Sequence, residues 1–197
     1  MKITKAQSQE NRARIVETAS ALFRERGYDG LSVADLMAAA GLTHGGFYKH
    51  FESKADLMAE TAERGIAQFL GEAEQVDVHA FIDFYLSRAH RDGRGDGCTM
   101  AALSGDAARQ STDIKETFAA GIENMLDAVE RGRSPGDGDR HKVRAQAIDL
   151  FAHLLGAVVL SRACPDGSPL ADEILDVCRE QIHVARACQE RGICQSG

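Results

Sequence analysis

The residues best suited to contact another molecule fall in one short segment, residues 43–50. Its side chains donate hydrogen bonds, stack or carry positive charge: Thr43, His44, Tyr48, Lys49 and His50. Leu42, Phe47 and Phe51 supply apolar positions at helical spacing, which leaves the polar groups on or near the outer surface. Phosphates and base edges accept hydrogen bonds from groups of this kind. The segment therefore predicts a helix that contacts DNA.

Two adjacent glycines in this segment allow two interpretations. Gly45 and Gly46 each cost roughly 1 kcal/mol relative to alanine in a helix interior. A helix that only packs has little use for them, whereas a helix whose backbone approaches a sugar-phosphate wall does. The alternative is a glycine turn between two ordinary core helices.

The preceding stretch predicts a first helix and a tight turn. Ser32 is a suitable N-cap, and Gly41 ends the helix because a residue there must adopt positive φ. Apolar residues recur between them at helical spacing: Val33, Leu36, Met37 and Ala40. Thr43 is a suitable N-cap for the next helix. Together the two helices have the helix-turn-helix layout, in which the second enters the DNA major groove.

Residues 43–57, Thr-His-Gly-Gly-Phe-Tyr-Lys-His-Phe-Glu-Ser-Lys-Ala-Asp-Leu, resemble the recognition-helix signature of the tetracycline-repressor (TetR/AcrR) family of transcriptional regulators. Upstream, Ala19–Tyr28 resembles the Ala-x-x-Leu-Phe-x-x-x-Gly-Tyr run of that family's first helix. The similarity covers roughly residues 10–60. Gly46 departs from the pattern, because the family more often has a small side chain there that contacts DNA.

The resemblance implies an all-α fold with two functional parts. Residues 1–52 would form an N-terminal three-helix helix-turn-helix DNA-binding domain, and residues 53–197 a helical bundle for ligand sensing and dimerisation. The implied function is that of a cytoplasmic, homodimeric transcriptional regulator, a repressor that binds a palindromic operator and is released by a small-molecule effector. The predicted DNA-binding residues are Ser32, Thr43, His44, Gly45, Tyr48, Lys49, His50 and Lys54.

Two further sets of residues belong to the predicted C-terminal part. The candidate ligand-pocket residues, each of which also fits a plain core position, are Phe69, Phe81, Tyr85, Cys98, Met100, Leu103, Phe118, Ile122 and Phe151. The candidate dimer-interface residues are Leu150, Leu154, Val158, Ile174, Cys178 and Ile182. The interface prediction depends on residues 147–160, which are apolar around much of the helix and so indicate burial on more than one side.

Periodicity and turn residues predict the remaining helices. They span about residues 8–26, 53–74, 77–90, 98–109, 111–131, 140–163 and 168–190, with loops at 92–97 and 132–138. Lys5, Arg12 and Arg14 lie at or before the start of the first helix, where they reach phosphates or remain solvated. Cys98 begins a helix, and it is either a reactive thiol of the kind some family members use to sense oxidants, or a small buried hydrophobe.

Charge and cysteine usage are consistent with a cytosolic DNA-binding protein. Up to Asp56 the chain has eight Lys and Arg against seven Asp and Glu, and after it 15 against 23, so the acidic body disfavours DNA lying elsewhere. Five cysteines at irregular spacing include no Cys-x-x-Cys pair, so the sequence predicts neither a disulfide framework nor a metal site. Met1–Glu10 has no secretory apolar core and no apolar run approaches the roughly 20 residues that span a bilayer, so no membrane partner is expected. No cofactor is expected either.

Two other functional classes are weighed against this interpretation. An all-helical enzyme would need nucleophile–base pairs, paired carboxylates or metal-ligand clusters at motif spacing, and the sequence has none. A helical adaptor that only dimerises would need no polar recognition surface. Sequence-selective, salt-dependent DNA binding separates the regulator from both.

Overall fold

A computed structural model of the chain describes residues 4–131 and 139–190. All regular elements in these ranges are helical, as predicted. The predicted loop at 132–138 and the cysteine at 194 lie outside the described residues. The α-helices are α1 Lys5–Arg26, α2 Val33–Ala39, α3 Lys54–Ala73, α4 Val78–Tyr85, α5 Arg88–Asp92, α6 Thr99–Ala107, α7 Thr112–Arg131, α8 Arg140–Ala163 and α9 Pro169–Glu190, with a 3-10 helix at His44–Lys49.

The chain packs into two compact units. Unit 1 comprises the described residues up to Gly71 together with Arg94–Glu123, and unit 2 comprises Glu72–Gly93 together with the described residues from Asn124 onward. Each unit is therefore built from two stretches that are distant in sequence. The functional division at residue 52 remains a prediction, and it does not coincide with the packing units.

The core of unit 1 is formed by the apolar sides of α1, α2 and α3 and by aromatic residues between them. α1 begins a turn earlier than predicted, because the Thr4 hydroxyl accepts a hydrogen bond from the backbone of Gln7 and caps it. It ends at Gly27, whose φ of +76° favours a residue without a Cβ. Its deeply buried apolar side chains include Ile15, Ala19, Phe23, Tyr28, Leu36, Phe47 and Leu57.

Unit 2 corrects the prediction of one helix over residues 77–90. Leu86 leaves the helical conformation, with φ −96° and ψ 33°, and ends α4. Ser87 then caps α5, its hydroxyl accepting from the backbone N–H of His90 at 3.2 Å. Apolar residues continue at helical spacing up to the break, so the sequence pattern did not indicate that the Ser87 cap begins a new helix there.

Two arginines join α5 to the end of α8 within unit 2. Arg91 is fully buried and donates to the backbone carbonyls of Ser161 and Cys164, while Asp166 lies 3.2 Å away as a counter-ion. Arg162 in turn donates to the carbonyls of His90 and Arg91. Each arginine thus donates to carbonyls at the C-terminal end of the other's helix, the region where carbonyls lack the regular donors of a helix interior.

α8 and α9 pack along much of their length. Both helices bury apolar residues at helical spacing, namely Val143, Ala147, Leu154 and Val158 of α8 and Ala171, Leu175 and Ile182 of α9. By length and composition alone α8 is apolar enough to cross a membrane. Its packing against α9 gives that apolar character a role in the core of unit 2.

Candidate nucleic-acid interface

The helix-turn-helix begins with a reciprocal cap at Ser32. The Ser32 hydroxyl accepts from the backbone N–H of Asp35 at 3.2 Å, and the Asp35 carboxylate accepts from the Ser32 backbone N–H at 2.9 Å. The Ser32 hydroxyl also donates to the Asp35 carboxylate at 2.6 Å, and this bond, followed by the one from the Ser32 backbone N–H, lowers the pKa of Asp35. The predicted cap is confirmed, and the exposed Ser32 side chain lies at the start of α2.

The turn after α2 is set by Gly41. Its φ of +68° lies in the left-handed region that favours glycine, as its predicted helix-ending role requires. The backbone N–H groups of Gly41 and Leu42 donate back to the carbonyls of Ala38 and Met37 at 3.0 and 2.9 Å. These bonds satisfy the last carbonyls of α2 and direct the chain into the next helix.

Residues 43–50, which we call the recognition segment, differ from the prediction in helix type. The helix at His44–Lys49 is a 3-10 helix, and the Thr43 side chain makes no capping hydrogen bond. The backbone N–H of Gly46 donates to the carbonyl of Thr43, three residues earlier, at 2.9 Å, which is the hydrogen-bond pattern of a 3-10 helix. Two low-propensity glycines and a length of six residues explain why the segment does not form a full α-helix.

Two aromatic residues, one in the recognition segment and one directly after it, are buried in the core of unit 1. Phe47 and Phe51 are buried with ring centroids 5.4 Å apart, as predicted, and Leu42 is half-buried. The Tyr48 ring meets the Phe47 ring edge to face, 5.3 Å away, and the residue is 66% exposed. The structure thus fixes the segment through aromatic packing and leaves its other side to solvent.

The predicted contact residues of the segment do share that outer surface. Thr43, His44, Gly45, Tyr48 and Lys49 are exposed, and His50 is half-buried. The His44 and Tyr48 rings meet edge to face, 6.3 Å apart. Their contact with DNA is a prediction that the arrangement permits.

The two glycines are not required by packing within the chain. A Cβ on Gly45 would meet no atom within 4 Å, and a Cβ on Gly46 would meet only Met37 and Thr43 at 3.6 Å. Neither residue has positive φ. Unit 1 could therefore accommodate alanine at both positions, which favours an external reason for their small size.

One of the positively charged side chains near the recognition segment is paired with a carboxylate of the same chain. Arg12, predicted either to reach phosphate or to be solvated, instead forms a bidentate ion pair with Glu60. Its guanidinium also lies 4.8 Å from the centre of the Phe51 ring. Burial, followed by the positive charges of Arg12 and Lys49, lowers the pKa of His50. This shift favours the neutral form of His50 in the absence of DNA.

Lys54 occupies the first position of α3. Ser53 caps this helix as predicted, accepting from the backbone N–H of Asp56 at 3.1 Å. The Lys54 ammonium donates to the backbone carbonyl of Tyr28 and lies 6.0 Å from the centre of the Phe23 ring. The side chain is half-buried, so it is oriented by the protein as well as partly open to solvent.

The predicted ligand-pocket residues divide between the two units. In unit 1, Cys98, Met100, Leu103 and Phe118 are buried, Phe69 is half-buried and Ile122 is 39% exposed. In unit 2, Tyr85 is buried, while Phe81 and Phe151 are half-buried. Because the Cys98 side chain is buried, it fits the predicted role of a small hydrophobic residue in the core.

One surface pocket of unit 1 includes two of these predicted residues. Its volume is about 220 Å³, and it is lined by Ser104, Ala107, Ala108, Lys115, Phe118, Ala119 and Ile122. The surface that lines it is almost entirely apolar. Across residues 4–131 and 139–190, no three His, Cys, Asp or Glu side chains are arranged to hold a metal ion.

The predicted dimer-interface residues differ in their exposure within the single chain. Leu154, Val158 and Ile182 are less than 5% exposed and belong to the core of unit 2, so a second copy has almost no surface left to cover there. Leu150, Ile174 and Cys178 are half-buried. Periodicity identified apolar positions on both sides of α8 but did not indicate which side α9 covers.

An exposed apolar stripe on α9 was not singled out by the sequence reasoning. Leu170, Val177 and Val184 are each about half exposed and recur every seven residues, which places them on one side of the helix. On α8, Ile148, Val159 and Leu160 are also exposed. The recurrence of apolar residues every seven positions is the sequence signal from which this stripe could have been predicted.

Comparison with known proteins gives a consistent result. Residues 15–61 match the family model of the bacterial regulatory proteins of the tetR family. The HTH-type transcriptional regulator TtgR of Pseudomonas putida is 44% identical over 191 residues, which cover 87% of this chain and 89% of that relative. The HTH-type transcriptional repressor DhaR of a Mycobacterium species is 27% identical, with 87% and 91% covered.

Solved structures agree with the sequence relatives. The crystal structure of a TetR transcriptional regulator from Chloroflexus aurantiacus is similar with a TM-score of 0.71 and 26% identity, covering 93% of this chain and 96% of that one. Reduced NemR of Escherichia coli has the same fold, with a TM-score of 0.70 and 88% and 95% of the two chains covered.

Proposed function

The chain belongs to the tetR family of bacterial regulatory proteins and is a DNA-binding transcriptional regulator, and we propose that it acts in the cytoplasm as a homodimeric repressor without enzymatic activity. Residues 1–52 contact DNA, and residues 53–197 sense a ligand and dimerise. Each copy presents its recognition segment to one half of a two-fold-symmetric operator. The observation that carries the proposal is the exposed polar surface of that segment, anchored from behind by Phe47 and Phe51.

Within the proposed complex the contact residues have two roles. Thr43, His44 and Gly45 lie near base edges, where they influence which sequences are preferred. The side chains that hold phosphate are those of Tyr48, Lys49 and Lys54, with Ser32 and His50 beside them. A phosphate near His50 would raise the pKa that burial and Arg12 lower in the unbound chain.

Dimerisation is proposed through the outer surfaces of α8 and α9. The exposed stripe of Leu170, Val177 and Val184 supports this choice, because apolar groups that repeat along one side of a helix are stabilised by a partner. The half-buried Leu150, Ile174 and Cys178 border the core and extend the proposed interface. Two copies joined in this way supply two recognition segments.

Effector binding is proposed to weaken DNA binding. The supporting features are the aromatic and apolar residues predicted for the pocket and the surface pocket at Phe118 and Ile122. A small, largely apolar molecule suits such a lining. Release requires only that the effector bind the DNA-free form more tightly than the DNA-bound form.

The test is selection of bound duplexes from random DNA with the full-length protein. We expect a two-fold-symmetric consensus, whose affinity falls steeply with salt because phosphates are neutralised. The His44→Ala variant should select a different consensus, whereas Lys49→Ala should weaken binding to all sequences and reduce the salt slope by about 0.9. Glu63→Ala, an exposed change on α3, is the matched control and should leave the consensus unchanged.

Two results would contradict the proposal. Selection of DNA without two-fold symmetry would exclude the dimeric arrangement. Binding that depends on neither salt nor the recognition segment would exclude the docking surface, and an adaptor role would then be the better explanation.

A further inference from the structure

The backbone of Tyr28, between α1 and α2, is held by side chains from two other helices of unit 1. The backbone N–H donates to the Asp106 carboxylate of α6 at 3.0 Å, and the carbonyl accepts from the Lys54 ammonium of α3. The Tyr28 ring is fully buried and meets the Phe23 ring edge to face, 5.1 Å away. The residue is therefore fixed at its N–H, at its carbonyl and at its side chain.

Gly27 shows that the contact with Asp106 is a close one. A Cβ on Gly27 would lie 2.5 Å from the Asp106 Oδ2 atom, well inside van der Waals contact. Together with its φ of +76°, this close approach explains why the residue that ends α1 is glycine. The other Asp106 oxygen accepts from Arg109 at 2.6 Å, so the carboxylate is itself oriented.

Lys54 is oriented but has donors to spare. An ammonium carries three N–H groups, and the hydrogen bond to Tyr28 uses one of them. The side chain is half-buried, and it is the first residue of a helix, where the positive end of the helix dipole would favour an approaching anion. The position of the Tyr28 carbonyl thus sets where the remaining donors are presented.

We propose that Asp106 is a positioning residue for DNA binding, which acts through the Tyr28 backbone to hold the Lys54 ammonium where a phosphate contacts it. This inference rests on the proposed phosphate contact of Lys54. It assigns a part in DNA recognition to α6, whose first residue lies 45 positions beyond Lys54 in the sequence. Without the Asp106 carboxylate, the Tyr28 N–H loses its partner, and one of the three contacts that fix the position of the residue is removed.

The sign of the expected effect separates positioning from simple electrostatics. Asp106 carries negative charge, so its removal would strengthen DNA binding if only long-range repulsion of phosphate mattered. If Asp106 positions Lys54, its removal should weaken binding. Asp106→Asn removes the charge and keeps a side-chain oxygen acceptor, and it should retain affinity.

The experiment measures DNA affinity as a function of salt for the full-length protein and its variants, using a selected operator duplex and an unrelated duplex. Lys54→Ala should weaken binding to both by about threefold to fivefold, as for one exposed ion pair, and lower the salt slope by about 0.9. Asp106→Ala should produce the same two changes. The double variant should be no weaker than Lys54→Ala, because both changes remove one contact.

A matched control removes a neighbouring contact between the same two segments. Gln110 donates to Asp29 at 3.3 Å, beyond the end of α6, and does not touch Tyr28. Gln110→Ala should leave the salt slope unchanged. If Asp106→Ala fails to fold, Asp106→Glu displaces the carboxylate while keeping its charge, and it should lower the slope in the same way.

Several outcomes would overturn the inference. A loss of affinity in Asp106→Ala with an unchanged salt slope, or a loss that adds fully to that of Lys54→Ala, would leave Asp106 a structural role only. If Lys54→Ala behaves as expected while Asp106→Ala matches the unmodified protein, the positioning role alone fails. If Lys54→Ala changes neither affinity nor slope, the proposed phosphate contact of Lys54 fails as well.

Discussion

The recognition segment of unit 1 and the outer side of α9 in unit 2 are both exposed, but they offer opposite chemistry. Tyr48 is 66% exposed among hydroxyl, imidazole and ammonium groups, whereas Leu170, Val177 and Val184 are each about half exposed along an apolar stripe. Polar donors remain hydrated until phosphates replace the water. An apolar stripe has no good partner in water and is stabilised by another apolar surface. The comparison predicts two different partners, DNA for unit 1 and a second copy for unit 2.

The largest effect should come from charging the apolar stripe. Val177→Asp places a carboxylate at the middle of the proposed interface and should yield a monomer, because an unpaired charge is costly to bury. A monomer reads one half-site, so operator affinity should fall by on the order of 1,000-fold. Sedimentation at micromolar concentration and operator titration measure the two consequences. Glu173→Gln, an exposed change on the same helix, should alter neither. A Val177→Asp variant that remains a dimer would remove the stripe from the interface.

A smaller effect is expected from a single methyl group on the recognition segment. Gly45→Ala meets no atom of the chain, so it should raise the free energy of unfolding by about 0.4–1 kcal/mol. If DNA approaches this backbone closely, the methyl group should also weaken operator binding by about tenfold. Chemical denaturation and DNA titration separate stability from binding.

The control for this change is another glycine in open space. A Cβ on Gly71 of α3 likewise meets nothing within 4 Å, so Gly71→Ala should stabilise the chain and leave DNA binding unchanged. Equal DNA affinity for Gly45→Ala and the unmodified protein would show that DNA does not approach residue 45.

The sequence predicted structural features more readily where the interaction that determines them lies within one turn of the chain. Ser32, Gly41 and Ser53 act on residues one turn away, so their capping and turn roles were predicted and are confirmed. The break at Ser87 is also local, but an uninterrupted apolar period concealed it.

Non-local packing was the part that the sequence could not supply. Leu154 and Val177 are both apolar and both at helical spacing, and only the position of the neighbouring helix makes one buried and the other exposed. Asp106 is similar, because no pattern around it indicates that its carboxylate meets the backbone of Tyr28. The recognition segment was predictable in residue type, and its 3-10 geometry was not.

The smallest expected effect concerns pH and unit 2. Burial lowers the pKa of His90, and the positive charge of Arg162 lowers it further against an opposing hydrogen bond to the Tyr85 carbonyl. The folded chain therefore holds neutral His90 at pH values where the unfolded chain, with a histidine pKa near 6.5, binds a proton. The free energy of unfolding should fall as pH drops below about 6.5, with a slope of at most about 1.4 kcal/mol per pH unit from this residue.

Urea denaturation from about pH 7.5 to pH 5 measures that slope. His90→Gln should flatten it, whereas replacement of the exposed His141 by Gln should not. DNA binding by the recognition segment should respond in the opposite direction, because a protonated His50 beside phosphate would favour the complex. A stability curve that is unchanged in His90→Gln would remove His90 as the source.

The discontinuity of unit 1 has a consequence for recombination between related genes. A crossover near residue 71 takes the N-terminal stretch of unit 1 from one parent, but unit 1 also includes Arg94–Glu123, which then come from the other parent. In such a hybrid, Gly27 and Tyr28 from one ancestor would have to accommodate whatever residue the other supplies at position 106. Viable exchanges should therefore be those in which positions 27, 28, 54 and 106 are inherited as a compatible set. Compatibility at these four positions, more than overall sequence identity, should decide which N-terminal and C-terminal segments of two related chains can be combined.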